Sequence, residues 1–300
     1  EPLWNVLSNE FHVVDVFAEH AFSGNPLAVV IHPGEFSAEE MLSIASEMNY
    51  SETTFIRPGP EDGDGYPVRI FTPARELPFA GHPILGTAWV IRHRLASSMP
   101  REIRLNLAVG QVPVTFEDDG DDREIVWFRS PEIVPGPVFP RERICHALQL
   151  SPSDIDPKTP IQQFTAGISA LLVPVRTLDA LRRCRLDLEA FAKLKAMGLQ
   201  PLVYVFCTET YHPGNDFCAR FFFEALGVRE DPAAGNATAF LGAYLLEHRC
   251  ISYLDRLVRI EQGYEIARPS LLMLRARRAD GSADIRVGGW VVQSAIGHLC

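Results

Sequence analysis

The 300-residue sequence predicts an α+β fold made of two pseudo-symmetric lobes, each with one prominent apolar helix. Three observations predict it. Arg69-Ile70-Phe71-Thr72 reads as a strand, and Phe79-Ala80-Gly81-His82-Pro83 then opens an apolar helix over Leu85 to Ile91. The same order returns later: Arg220-Phe221-Phe222-Phe223, then Asp231-Pro232-Ala233-Ala234-Gly235-Asn236-Ala237, then an apolar run from Phe240 to Leu246. Most of the remaining chain reads as short strands, unlike the strict strand–helix alternation of a doubly wound sheet. It carries no Gly-x-Gly-x-x-Gly and no Walker loop, so no nicotinamide, flavin or ATP site is expected.

The elements follow in order. Phe11 to Phe17 reads as a strand, and the turn Ser23-Gly24-Asn25-Pro26 leads into Leu27 to Ile31. Ser37 caps a helix over Ala38 to about Met48, with Glu39 and Glu40 at its positive end. Glu52 to Ile56 and Tyr66 to Phe71 read as strands, and the Gly81 helix comes next. Pro83 suits the first helical position, where a missing N–H costs nothing. Glu102 to Leu107, Gln111 to Phe116 and Glu124 to Phe128 alternate as strands. The last two are joined by the acidic turn Glu117 to Asp122, which lacks the ligand register of a calcium loop.

Pro131, Pro135, Pro137 and Pro140 mark the best boundary, giving lobes 1–130 and 131–300, with the last strands as candidates to return to the first lobe. Beyond it, Arg141 to Leu150 is expected to be helical, Gln162 to Phe164 and Ala170 to Val175 are strands, and Leu178 to Met197 holds one or two helices. Leu202 to Cys207 and Phe217 to Phe223 are strands. Asn236 is expected to cap the helix that runs to about His248, and strands follow at Leu257 to Glu261, Leu271 to Ala276 and Ile285 to Val292.

Composition narrows the function. Hydrophobic residues make up 47% and charged residues 22%, as in an ordinary globular protein. The formal charge of −10, with no strong basic cluster, argues against nucleic acid. No uncharged stretch is apolar enough to span a membrane, and the N-terminus shows no signal-peptide pattern. The six cysteines form no Cys-x-x-Cys pair and no metal-ligand spacing with His. They read as reduced thiols of a cytoplasmic protein without a metal.

Four places could do chemistry. Glu52, in Ser51-Glu52-Thr53-Thr54-Phe55, sits between a helix end and an apolar strand. Burial would raise its pKa and let it take and return a proton near neutral pH, though its sequence also suits an ordinary surface acid. His82 either meets a substrate or merely starts its helix. Asp231 either accepts a hydrogen bond from a substrate or complements the dipole of the Gly235 helix. Asn25 either lines the same cleft or is a plain turn residue. The first turns at Gly81 and Gly235 leave backbone N–H groups without partners, and a carboxylate fits there without Lys or Arg. No Gly-x-Ser-x-Gly elbow occurs, and no base is evident beside Cys207 or Cys218.

Five motifs then converge: Phe22-Ser23-Gly24-Asn25-Pro26-Leu27-Ala28-Val29, Ser51 to Phe55, Glu76 to Ala88 around Gly81-His82-Pro83, Glu230 to Gly235, and Glu261-Gln262-Gly263-Tyr264 to Ser270. Together, and in this order, they resemble the phenazine-biosynthesis PhzF-like isomerase family over nearly the whole chain. The resemblance implies a diaminopimelate epimerase-like fold, each lobe a mostly antiparallel, barrel-like sheet around a central helix, with the active site between the lobes. It implies a homodimer and isomerisation of trans-2,3-dihydro-3-hydroxyanthranilate without cofactor or metal.

Carried onto this sequence, the resemblance gives Glu52 the proton-shuttling role. His82 and Asp231 become its partners in catalysis, and Asn25, Ser51, Gly81, Gly235 and Asn236 line the substrate. The epimerase relatives use two thiols near the helix starts, and here those loops hold no Cys. The family's second loop is commonly Asp-Pro-Ala-Thr-Gly-Ser; Ala234 and Asn236 depart from it. Two alternatives stand beside the isomerase: an epimerase or cyclising enzyme on another metabolite, and a low-turnover protein that binds a metabolite or a protein partner.

Overall fold

The computed structural model describes residues 9–32, 36–57, 65–121, 123–196, 202–223, 228–279 and 281–300. The chain divides into two compact units, Glu1–Arg129 with Gly288–Cys300, and Ser130–Val287. Met197 and Asp122 of the expected helix and acidic turn lie outside the described residues.

In the first unit, strand Glu10–Val16 pairs antiparallel with both Asn25–Ile31 and Val291–His298. Asn25–Ile31 lies parallel to Thr53–Ile56, with helix Ala38–Met48 as the connection. Thr53–Ile56 pairs antiparallel with Tyr66–Phe71, which lies parallel to Glu102–Leu107; antiparallel strands Gly110–Asp118 and Glu124–Arg129 extend the sheet. The helix Gly81–Val90 packs against strands all round this sheet, and every residue in it except Trp89 is buried. A helix apolar on all sides needs such a wrapping.

The second unit repeats the order. Ile161–Ala166 pairs antiparallel with Ile168–Pro174, which lies parallel to Val203–Cys207 after two short helices, Leu178–Arg183 and Leu188–Lys195. Val203–Cys207 pairs antiparallel with Phe217–Phe223, which lies parallel to Val258–Gln262, and that strand pairs with Ser270–Ala279. The helix Gly235–Glu247 packs against Ser270–Ala279, Ile168–Pro174, Ile161–Ala166 and Val134–Phe139. Each unit is thus a largely antiparallel sheet with two parallel pairs and a buried helix, which is the duplicated architecture expected.

Four local expectations need correction. The Pro-rich boundary contains a strand, Val134–Phe139, paired with Ile161–Thr165; Pro135 and Pro137 are tolerable because the strand needs ladder bonds on one side only. The expected strand Ile285–Val292 is two, Ser282–Gly289 and Val291–His298. Trp290 separates them, its carbonyl accepting from Ala18 N (3.2 Å) and its indole N–H donating to Asp119 (2.7 Å). Asn236 is not the cap of its helix: Ala234 is, without a side-chain bond, and Asn236 sits in the first turn. Pro83 is the third helical residue rather than the first, a position whose N–H has no partner inside the helix either.

Candidate active site

The first unit gathers Asn25, Ser51, Glu52, Gly81 and His82. Gly24 sets the entry. Its φ of +66° and the Val16 carbonyl, which would lie 2.3 Å from any Cβ, leave room only for glycine. Asn25 is thereby fixed as the first residue of its strand, opposite Val16. Helix Ala38–Met48 ends at Asn49 in the left-handed conformation, and the chain turns through Ser51 and Glu52 into strand Thr53–Ile56. The Gly81 helix supplies His82, and a bond between Thr54 Oγ1 and Thr87 Oγ1 (2.7 Å) ties this helix to the Glu52 strand.

These residues form a chain of polar contacts. Ser51 Oγ donates to Asn25 Oδ1 (3.3 Å), and the Asn25 amide faces His82 Nδ1 (3.3 Å). On the other side of the ring, His82 Nε2 lies 3.4 Å from Glu52 Oε2. Both Nε2 and Oε2 are buried without a hydrogen-bond partner among the described residues. Asn25, His82 and Glu52 are all almost fully buried, at 1%, 5% and 7% exposure. An unsatisfied buried pair of this kind is costly and is the sort of arrangement that collects at functional sites.

Burial sets the protonation states. It pushes the Glu52 carboxyl up to about 7, with the neighbouring Ser51 side chain acting in the opposite direction. It pushes His82 down to about 3, so near neutral pH the ring is an uncharged imidazole. Glu52 is therefore poised to exchange a proton near neutrality, beside a ring that does not compete for the charge. The N-terminus of the Gly81 helix carries no side-chain cap and no acidic residue in its first turn. Its free N–H groups and dipole form a place for an anion.

Asp231, Gly235 and Asn236 lie together in the second unit. Asp231 ends strand Val228–Asp231, opposite Phe221; Gly235 is the first helical residue and is buried, while Asn236 is half-buried. Sequence reasoning gave no role to the residues that shape this loop. Gln262, fully buried, donates to the Asp231 carbonyl (2.8 Å) and accepts from Ala234 N (3.4 Å), spanning the loop from both ends. Gly263, at φ +81°, lies where a Cβ would meet the Arg268 and Pro232 carbonyls at 2.2 and 2.7 Å. The buried Glu261 carboxylate accepts from Tyr211 N, His212 N and Asn215 Nδ2 at 2.7–2.8 Å. The Glu261-Gln262-Gly263 motif was visible in the sequence, but its partners lie 28 to 50 residues away.

The phenazine biosynthesis-like protein family model matches residues 14–297. The chain belongs to the PhzF-like family. It is 34% identical over 272 residues to a trans-2,3-dihydro-3-hydroxyanthranilate isomerase of Pseudomonas aeruginosa, covering 90% of this chain and 91% of that protein. Its structure resembles that of a PhzF-family phenazine biosynthesis protein of Bacillus anthracis, with a TM-score of 0.86 at 24% identity over 97% of this chain and 98% of the other. A fainter likeness, in fold alone, is to a probable proline racemase of Agrobacterium radiobacter, with a TM-score of 0.59 at 12% identity over 97% and 92% of the two chains. The PhzF-like protein is thus an isomerase on a diaminopimelate epimerase-like fold. Among the described residues, no helix is long and apolar enough to cross a membrane.

Proposed function

We propose that this PhzF-like chain isomerises a small unsaturated carboxylate of the trans-2,3-dihydro-3-hydroxyanthranilate type by moving one proton with Glu52, without a cofactor. The observation that carries the reading is the buried pair of unpartnered atoms, Glu52 Oε2 and His82 Nε2, 3.4 Å apart. As a carboxylate, Glu52 takes a proton from an activated C–H of the substrate. The electron pair spreads over the conjugated system, and Glu52 returns the proton to a different carbon. His82, neutral, orients the substrate and meets the developing charge from its Nε2 side, where Glu52 also lies. The N–H groups at the start of the Gly81 helix receive the substrate carboxylate. From the family resemblance, Asp231 is proposed as a further catalytic group and Gly235 and Asn236 as substrate-binding groups. Homodimer formation and a cytoplasmic setting belong to the same proposal.

The test follows solvent deuterium into product by NMR, with trans-2,3-dihydro-3-hydroxyanthranilate as substrate. Glu52→Gln keeps the shape of the side chain and removes the base; turnover and deuterium incorporation are expected to fall roughly 10²–10⁴-fold, the usual contribution of a positioned acid–base group. Incorporation at the unsubstituted rate removes Glu52 from the mechanism. No turnover by the unsubstituted protein removes this substrate.

A further inference from the structure

We propose that Asn25, oriented by Ser51, is a positioning residue rather than a substrate ligand: it fixes His82 in the tautomer that carries its only ring proton on Nε2, facing Glu52. The proposal takes its functional meaning from the Glu52–His82 reading, but the tautomer is a property of the resting protein.

A neutral imidazole has one N–H and one bare nitrogen, and the bond made by one nitrogen decides which is which. Asn25 has one acceptor oxygen and one donor amide. The oxygen takes the Ser51 hydroxyl at 3.3 Å, so the group left facing His82 Nδ1, also at 3.3 Å, is the NH₂. A donor aimed at Nδ1 requires Nδ1 to be bare, which places the proton on Nε2. That nitrogen lies 3.4 Å from Glu52 Oε2.

The opposite tautomer would set a bare Nε2 against the lone pairs of the ionised carboxylate, both groups being almost fully buried. Only the Nε2–H form suits Glu52 in the state that takes a proton from substrate. Asn25 is well placed to impose it. Its backbone is locked in strand pairing with Val16 behind Gly24, and the residue is 1% exposed. The role explains why a turn-forming residue is needed here. Ser23, Gly24 and Pro26 shape the backbone, and Asn25 supplies the amide.

The experiment is ¹⁵N NMR on histidine-labelled, ligand-free protein, with the His82 signals assigned by their loss in His82→Asn. The expected result is a bare Nδ1 and a protonated Nε2. Asn25→Asp replaces the donor by an acceptor and is expected to move the proton to Nδ1. Ser51→Ala, which removes the donor on the Asn25 oxygen, is expected to weaken the preference toward a mixture of both forms, and Ser51→Thr, which keeps the hydroxyl, to restore the original one. In turnover, Asn25→Asp is expected to lower kcat roughly 10²-fold, as misplacement of a catalytic group does, with KM little changed.

A protonated Nδ1 in the unsubstituted protein overturns the proposal, and this reading needs no variant to fold. An unmoved tautomer in Asn25→Asp with a raised KM also overturns it and returns Asn25 to the substrate ligands. Failure of the Glu52 mechanism shows in the deuterium assay alone and leaves these spectra unchanged.

Discussion

In the first unit, Arg69 on strand Tyr66–Phe71 grips Glu76 through two bonds of 2.7 Å, and both side chains are about a third exposed. In the second, Arg220 on strand Phe217–Phe223 grips Glu230 through bonds of 2.9 and 2.8 Å, and both are under a tenth exposed. The strand registers show that these are the same position: Arg69 pairs with Phe55 and Arg220 with Val205, on matching strands. Two residues before each strand's second pairing, the copies part. Glu52 precedes Thr53, which pairs with Phe71; at the corresponding place Leu202 precedes Val203, which pairs with Phe222. At the helix starts His82 matches Asn236, each directly after the first glycine. The scaffold is duplicated, whereas the buried acid and its imidazole exist in one copy. The proposed single-carboxylate chemistry uses the copy that holds both groups.

The largest test of the comparison is the two clasps. Arg220 also donates to the carbonyls of Leu181, Arg182 and Cys184, so its loss strands Glu230 and three acceptors. Arg220→Ala is expected to cost about 3–5 kcal/mol, the range for breaking a buried pair from one side. Arg69→Ala is expected to cost less than about 1 kcal/mol, as exposed pairs do. Urea denaturation of both variants measures the contrast, and equal losses would mean that burial is not what separates the copies.

The acid and the imidazole give the next effect, and they have opposite signs in pH. A Glu52 pKa of about 7 in the folded protein lies above its ordinary 4.5, so the native state binds the proton more tightly. Stability from this group is present below pH 4.5, is lost as pH rises to 7, and stays level above. Glu52→Gln is therefore expected to be more stable than the unsubstituted protein at pH 8 by about 3 kcal/mol, and no more stable at pH 4. His82 runs the other way: its folded value of about 3 lies below 6.5, so stability is present above pH 6.5 and lost as pH falls toward 3. His82→Asn is expected to recover about 2 kcal/mol at pH 5 relative to pH 7. Denaturation midpoints across pH 4–8 check both, and parallel pH profiles for the two variants would contradict the assigned protonation states.

Much of the scaffold was legible because its signals are local. Tyr66–Phe71, Glu102–Leu107 and Phe217–Phe223 show their strand character in their own sequence, and Ser37 caps its helix through a capping box with Glu40. The duplication was visible as two Arg-aromatic strands followed by glycine turns. What escaped is set by distant partners. Strand Val228–Asp231 has little pattern of its own and is held beside Phe217–Phe223, where Glu230 meets Arg220. Strand Val134–Phe139 was hidden by prolines that an edge tolerates. In the site, Glu52 and His82 were each readable as candidates. That Asn25 meets His82 and Ser51 meets Asn25 depends on contacts 57 and 26 residues apart, which no local pattern encodes.

The smallest effect concerns the hydroxyl braces that tie each buried helix to its sheet. Thr54 and Thr87, both fully buried, meet at 2.7 Å in the first unit. Tyr204 and Thr238, also buried, meet at only 3.5 Å in the second. A short bond between two buried hydroxyls leaves the survivor unsatisfied when one is removed, whereas a long one has little to lose. Thr87→Val is expected to cost about 1–3 kcal/mol, and Thr238→Val less than about 1 kcal/mol. The first brace also spaces the Glu52 strand from the His82 helix, so Thr87→Val should lower kcat as well as stability, while Thr238→Val should change stability alone. Equal kinetic losses from both would show that Thr87 acts through general destabilisation rather than by holding Glu52 at its distance from His82.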